Sequence, residues 1–398
     1  MQSAQDILCG TACQLRGSSQ TADWIDCAVC GNRYGSFLPS CPTCGGQNSF
    51  ASPPAPKKSA ASKIAVTAIV AIAVVVVVMA LPALINIAVH QQDNPVITIL
   101  QPQSQKPKSV AREELVQHVL DAINKDRADF GLPPVELSSN DAAQFHAEDV
   151  FKTKQISHWT TGGEKPYMTY TRYGGEGSVQ QNVAIAGFTA EQYKQCQTNI
   201  LLDCEKIDPL STIDELEYEM MYKDSECCND GHKNNILNAH HTHVSIGIVY
   251  DQYYLALVQN FENDYGLQVA VDGGQVKVSG TLLAGTLDHI AIYYDEMPTP
   301  QVYEQNKHLL SYSAGELVAT VVKPLPPGYY YEPPEGYSLI EASRWAAEGK
   351  TVNVTFNLAS AVKDDGVYTL FATVKDGEEM FEITSHSIFV DSENSKER

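Results

Sequence analysis

GHKNNILNAHHTHVSIGIVYDQYYLALVQNF, residues 231–261, decides the fold of the central part of this chain. It opens on a histidine-bearing turn, His232, and an Asn-rich stretch suited to capping. Val244–Tyr250 and Tyr254–Phe261 then alternate apolar and polar residues, the period of a strand pair. Upstream segments add a second histidine, in Ile156-Ser157-His158-Trp159, and several carboxylates that could share a cleft with His232. Helical periodicity precedes the strands. Leu115, Val119, Ala122 and Ile123 fall on one face, with Val116 and Leu120 beside it, and Gly131 followed by Pro133-Pro134 ends that helix. Ser138-Ser139-Asn140 caps a second helix carrying Ala142, Phe145, His146, Asp149 and Val150. A third is predicted from Ile213 to Tyr222, with Leu216, Met220 and Met221 turned to a core.

After Asp264 the pattern changes. Strands are predicted at Leu267–Val271, Gln275–Thr281, His289–Tyr294, Glu316–Val322, Thr351–Leu358, Val367–Val374 and Phe381–Val390, punctuated by turns such as Asp272-Gly273-Gly274. Short strands at this spacing fit an immunoglobulin-like β-sandwich over 266–391. Within it, Pro324–Pro334 reads as an exposed proline/tyrosine loop, and Asn353-Val354-Thr355 matches a glycosylation sequon.

The N-terminal quarter is organised differently. Ile64–Val89 is almost wholly Ala, Val, Ile, Leu and Met, longer than the roughly 20 residues a helix needs to cross a bilayer core. It starts too far from Met1 for a cleaved signal peptide. Before residue 90 stand five basic and three acidic residues, which leaves 22 basic and 45 acidic for the rest. Lys57, Lys58 and Lys63 lie just ahead of the run, so the N-terminus is expected in the cytoplasm and the acidic remainder outside. An exterior so acidic disfavours nucleic acid and anionic lipid as partners.

Residues 1–50 hold Cys27-Ala-Val-Cys30 and Cys41-Pro-Thr-Cys44, two C-x-x-C knuckles on a ten-residue arm. Four thiolates so spaced predict a structural zinc ribbon, coordinatively closed and without catalytic character. Cys9 and Cys13 either extend that site or stand idle. Residues 51–63 and 90–108 read as Pro- or Gln-rich linkers either side of the span at 64–89. Outside, Cys196, Cys204, Cys227 and Cys228 suit two disulfides, with pairing of each of 227 and 228 to one of 196 and 204 expected over an adjacent bond.

Several motifs between Ser109 and Asp264 occur in an order that resembles the CAP superfamily, the cysteine-rich secretory, antigen 5 and pathogenesis-related-1 proteins, in its prokaryotic SCP-like form. They are Ile123-Asn124-Lys125-Asp126-Arg127, Phe145-His146-Ala147-Glu148-Asp149, Ile156-Ser157-His158-Trp159, Gln181-Asn182-Val183-Ala184, Gly231-His232-Lys233-Asn234-Asn235 and Val258-Gln259-Asn260-Phe261. The resemblance implies an α-β-α sandwich over 109–265, hence an α+β chain overall, with a cleft of two histidines and two acids. It carries the histidines onto His158 and His232. Gly174-Gly175-Glu176 is separated from Gln181-Asn182 by an insertion, so either Glu176 keeps the first acidic role or Gln181 replaces it. The second acid falls on Asp224, with Glu219 as the other candidate.

Two imidazoles and one or two carboxylates make a partial shell for zinc or another borderline divalent ion, or for general acid–base work on a metal-bound water. No Ser or Cys is visibly paired with a base, and no H-E-x-x-H occurs. The leading expectation is therefore a membrane-anchored extracellular binding module for an unidentified ligand or protein. A metal-dependent hydrolase of envelope peptides or secreted protein is the alternative from another class. A sensor coupling outside binding to a cytoplasmic partner of the ribbon is the third. His146 reads as a core histidine. His241 and His243 share a strand face and suggest a surface metal pair beside His240, while Trp159, Tyr167, Tyr170 and Tyr173 read chiefly as packing.

Overall fold

The computed structural model describes residues 12–14, 24–26, 33–35 and 109–391, less positions 200, 201 and 333. Three short strands stand first: β1 (Ala12–Gln14), β2 (Trp24–Asp26) and β3 (Arg33–Gly35). β2 and β3 pair antiparallel, Trp24 opposite Gly35, and so bracket in sequence the Cys27–Cys30 knuckle. The four ribbon cysteines, both linkers and the apolar run lie outside the described residues. Among the described residues no helix is long and apolar enough to cross a membrane.

From residue 109 the chain runs α1 (Arg112–Asp129), β4 (Glu136–Leu137), α2 (Ala142–Thr153), α3 (Pro166–Arg172), β5 (Ser178–Gly187) and α4 (Ala190–Thr198). Next come α5 (Pro209–Tyr222), α6 (Asp224–Cys227), α7 (Gly231–Ile236), β6 (His243–Tyr250) and β7 (Tyr254–Asn263). The strands form one sheet in the order β1-β5-β7-β6-β4. Its pleat explains the layers, because successive residues face opposite ways. Ala184, Ala186, Leu255, Leu257 and Phe261 pack with α1, α5 and α7, through Leu115, Val119, Ile123, Ile213, Leu216 and Ile236. The alternate residues Val183, Ile185, Tyr254, Ala256 and Val258 pack with Ala143, Ala147 and Val150 of α2. A helix on each face of the sheet is the expected three-layer arrangement. α2 crosses so close to β6 that a Cβ on Gly247 would lie 2.0 Å from the Ala143 carbonyl oxygen.

One boundary and one helix differ from expectation. α5 begins at Pro209 rather than Ile213, because Asp208 caps it by accepting from Ser211 N at 3.1 Å, with proline in the first turn where no N–H is needed. α4 was not anticipated, although Thr189 and Gln192 form a capping box that marks its start. The disulfide pairing also differs. Cys196 bonds Cys204, eight residues on, and does not reach across to residues 227 or 228.

The C-terminal module is a two-sheet sandwich. It holds β8 (Leu267–Asp272), β9 (Gln275–Thr281), β10 (Thr286–Asp295), α8 (Pro300–Asn306), β11 (Glu316–Val322) and β12 (Ser338–Glu341), then β13 (Arg344–Glu348), β14 (Thr351–Asn357), β15 (Gly366–Asp376) and β16 (Glu379–Val390). One sheet is ordered β12-β11-β10-β15-β16 and the other β13-β14-β9-β8, with a core between them that includes Val276, Val278, Ile290, Val354 and Phe356. The parallel β11–β12 pair departs from the wholly antiparallel immunoglobulin-like pattern. β12, β13 and α8 escaped the sequence reading because each is short.

The sandwich is fused to its neighbour rather than spaced from it; both fall in one compact unit. Trp159, Tyr167, Met168 and Tyr170 share a core with Tyr303, Tyr312, Val367 and Phe371. Each such side chain contributes about 1.5–3 kcal/mol when fully buried. Backbone bonds reinforce the seam: Ser385 N donates to Gly177 O at 3.1 Å, and Glu382 O accepts from Ser178 Oγ at 2.9 Å and from Asn263 Nδ2 at 2.6 Å.

Candidate functional site

His232 sits in the first turn of α7, entered through Asn229 and Asp230, both left-handed at φ 52° and 61°. That entry folds the chain back on α6. There Asp224 Oδ1 lies 2.5 Å from His232 Nδ1, and Asp224 Oδ2 accepts from Lys233 N at 3.1 Å. Both side chains are fully buried. A carboxylate accepts only, so Nδ1 carries a proton and donates it to Asp224. That Nε2 is buried and has no hydrogen-bond partner among the described residues.

The turn is held from three sides. Arg127 of α1, with no exposed surface, donates to Pro133 O at 2.9 Å, to Ile236 O at 2.7 Å and to Asn238 O at 2.9 Å, satisfying carbonyls at the end of α7. Asn182 of β5 donates to His232 O at 3.2 Å and accepts from Asn235 Nδ2 at 2.8 Å. Asn182 also reaches Gln259 Oε1 at 3.1 Å, and Gln259 donates to Glu217 of α5. Glu217 is buried, and burial first, then the nearby Asp126 charge, holds its carboxyl well above the usual range. It is the residue the sequence reading missed. The signal was there: Glu217 lies four residues after Ile213 and three before Met220, on the apolar stripe of α5. Glu219, the alternative acid, faces the other way and pairs with Lys223 at 3.6 Å.

His158 is also fully buried, but its partners differ. Its Nδ1 lies 3.1 Å from Gln181 Oε1, and the same amide donates to Asn260 Oδ1 at 3.0 Å. With the Gln181 amine so used, its oxygen faces the imidazole, which puts the proton on Nδ1 and the lone pair on Nε2. The loop carrying His158 is fixed by α2: His146 Nε2 bonds Ser157 O at 2.8 Å, and Asp149 accepts from Thr161 Oγ1 at 2.8 Å. Against the ring stands Tyr312 of the sandwich module, 5.0 Å between centroids. Tyr312 comes from the connection between α8 and β11, where Lys165 Nζ donates to Ser313 O at 2.8 Å as well as to Asp295 of β10 at 2.6 Å. A cavity of about 310 Å³ lies beside it, with Trp159, Lys165, Met168 and Tyr312 in its wall.

Of the two alternatives for the first acid, Gln181 is the one beside His158. Glu176 is placed against the sandwich, where its Oε2 accepts from Val269 N at 3.1 Å. Burial raises its pKa more than that bond lowers it. Gln181 and Asn182 are neighbours on β5 and so address opposite faces of the sheet; one holds His158 and the other the His232 turn. Asp224, Cys228 and His232 form a cluster whose ligand-type atoms all lie within 4.8 Å of one another, every one buried. Cys228 is engaged in a disulfide.

The other histidines do not form the surface metal pair suggested by their spacing. His241 is buried, bonds Asn263 Oδ1 at 2.6 Å, and is pushed down to about 3, chiefly by burial. His243 lies 3.8 Å from Glu136, and His240 stacks on Phe381 with centroids 3.7 Å apart. Trp159, Tyr167 and Tyr170 are core residues, while Tyr173 is exposed.

Residues 120–261 match the sequence model of the cysteine-rich secretory protein family, CAP. The chain therefore contains a CAP domain, and the helices and strands above are its layers. No curated protein matches the chain. Among solved structures, an extracellular protein containing an SCP domain from Bacillus anthracis str. Ames is 19% identical, with a TM-score of 0.27. The match covers 39% of this chain and 45% of that one, less than half of each.

Proposed function

We propose that this chain is a membrane-anchored, extracellular CAP-domain binding module whose cleft takes a divalent cation of the zinc class. The observation that carries the reading is His232: fully buried, its Nδ1–H given to Asp224, its Nε2 without a hydrogen-bond partner among the described residues. A carboxylate behind an imidazole is the arrangement that raises the ligand basicity of the other nitrogen. His158, turned to Gln181 on the other face of the sheet, stands outside this site. Imidazole nitrogen and carboxylate oxygen suit zinc, which supplies a Lewis-acid centre when bound. Binding is favoured over turnover because His232 and Asp224 have no exposed surface for a substrate to reach.

The membrane assignment rests on Ile64–Val89 and the lysines before it, and the ribbon on its four cysteines. The β1–β5 pairing, with Cys13 opposite Ala184, runs against a cytoplasmic N-terminus. If the N-terminus lies inside, the outer edge of β5 is open on the cell surface. Labelling Cys9 and Cys13 on intact cells with an impermeant maleimide separates the two. Labelling only after permeabilisation supports the proposed topology, and labelling of intact cells refutes it.

The cleft is tested by calorimetric titration of zinc into residues 109–398, beside His232→Gln. Binding at roughly micromolar affinity, about −8 kcal/mol, that disappears in the variant supports the reading. Equal heats in the two proteins refute it.

A further inference from the structure

We infer that Asn353 carries an N-linked glycan: its side-chain amide, on the outer face of the sandwich module, takes an oligosaccharide from a membrane-borne polyprenyl phosphate donor. The inference rests on the exterior placement proposed above and adds to it a covalent modification site, away from both buried histidines.

Asn353-Val354-Thr355 is the only Asn-x-Ser/Thr run in the 398 residues. It lies at the middle of β14, which is paired on one side to β9 and on the other to β13. Val352, Val354 and Phe356 point into the core, so by the period of two Thr351, Asn353 and Thr355 face outward. That face is open: Lys277 of β9 and Arg344 and Glu348 of β13, on the same side, are all exposed. Directly opposite Asn353 stand Ser279 on one strand and Ala346 on the other, two of the smallest side chains. Cross-strand Cβ atoms are only about 4.5–5.5 Å apart, so larger residues at those positions would crowd a sugar on the amide.

The hydrogen bonding points the same way. Asparagine is depleted in strands, because its side chain competes for backbone groups in turns and caps. Elsewhere in the molecule the asparagines on regular elements have a bond that accounts for their place. Asn124, Asn182, Asn235, Asn263 and Asn306 each commit the side-chain amide to a hydrogen bond. The Asn353 amide makes none among the described residues, and neither does the Thr355 hydroxyl. Both side chains of the sequon are therefore uncommitted, two residues apart on one face.

Glycosyl transfer is a substitution at the anomeric carbon with no change of oxidation state. The bond from Asn353 Nδ2 to that carbon forms, and the bond from the carbon to the lipid phosphate oxygen breaks. Nδ2 loses one proton to solvent, and the polyprenyl phosphate leaves with the electron pair. The folded sheet has only to leave the sugar in water, where it adds bulk and solubility to this face.

The test uses the full chain purified from the membranes of the cells that make it and digested with trypsin, which releases Thr351–Lys363 as one peptide. Mass spectrometry with electron-transfer fragmentation reads the mass of that peptide and the residue that bears any sugar. The expected result is an oligosaccharide increment on Asn353, lost in Asn353→Gln and in Thr355→Ala and kept in Thr355→Ser. The two threonine variants decide between chemistry and structure, because serine restores the sequon hydroxyl while both alter the same outward position.

A sugar that persists in Thr355→Ala, or a Thr351–Lys363 peptide recovered only unmodified, overturns the inference. The maleimide labelling of Cys9 and Cys13 tells that failure apart from failure of the topology. An unmodified peptide with labelling only after permeabilisation removes the glycan and leaves the exterior placement standing. An unmodified peptide with labelling of intact cells removes both.

Discussion

The two histidines that the sequence places in one cleft lie on opposite faces of the sheet and are held in opposite ways. Among the described residues, His232 is fixed from within the CAP domain, by Asp224, by Asn182 and by the carbonyl clamp of Arg127. His158 is held by a neutral amide, Gln181, and covered by an aromatic ring from a different module. One half is anchored by a carboxylate of its own domain, and the other by a neutral amide beside the docked sandwich. The chemistry concentrates at His232, where a carboxylate and a ring nitrogen with no hydrogen-bond partner among the described residues coincide. Tyr312 of the sandwich packs against His158 on the other side of the sheet.

The largest expected effect is on the half anchored by Asp224. Asp224→Ala strands two donors, the buried His232 Nδ1–H and the Lys233 N–H, and losing a hydrogen bond to a charged group costs about 1.5–3 kcal/mol each. Chemical denaturation of residues 109–398 measures it. Gln181→Ala removes only neutral hydrogen bonds and is expected to cost about 1–3 kcal/mol. Equal losses in the two variants would erase the distinction.

Next comes Tyr312→Ala. It is expected to cost about 3–5 kcal/mol or less, as large-to-small changes do in a core that can partly relax. More usefully, it is expected to speed modification of His158 by an acylating histidine reagent and leave His232 protected. Unchanged protection of His158 would show that Tyr312 does not guard it.

A smaller effect follows from Glu217. Its carboxyl ionises well above its ordinary value of 4.5 in the folded protein, mainly because it is buried. The folded state then keeps a proton that the unfolded chain has released, so stability falls as pH rises above about 4.5. Glu217→Gln removes that dependence. The variant is expected to be nearly neutral at low pH and relatively more stable at neutral pH, by thermal unfolding across a pH series. A wild-type slope of the opposite sign would mean that Glu217 is ionised in place.

Much of this was legible in the sequence because it follows local periodicity. The helices came from the 3.6-residue stripes of α1, α2 and α5 and the strand pair from the alternation of β6 and β7; their α-β-α layering was implied by the CAP resemblance. His158, His232 and Asp224 stood out through chemistry and motif order. What escaped depends on contacts between distant segments. Glu176 reads as a cleft acid until β8 arrives to donate the Val269 amide. Glu217 reads as one more surface glutamate of an acidic chain until Gln259 meets it across the sheet. Tyr312 carries no signal at all in its own segment; its role arises only when the sandwich and the CAP domain share a core. The Cys196–Cys204 bond was misjudged because spacing alone does not show that α4 ends beside its own downstream loop.

The most direct test of the central claim is long-range ¹H–¹⁵N NMR of the imidazoles in residues 109–398, with and without zinc, assigned through His232→Gln and His158→Gln. The account predicts that both histidines are neutral Nδ1–H tautomers, and that zinc shifts the His232 Nε2 resonance strongly while Nδ1 stays bonded to Asp224. A His232 protonated on Nε2, or a resonance that zinc leaves unmoved, would contradict it.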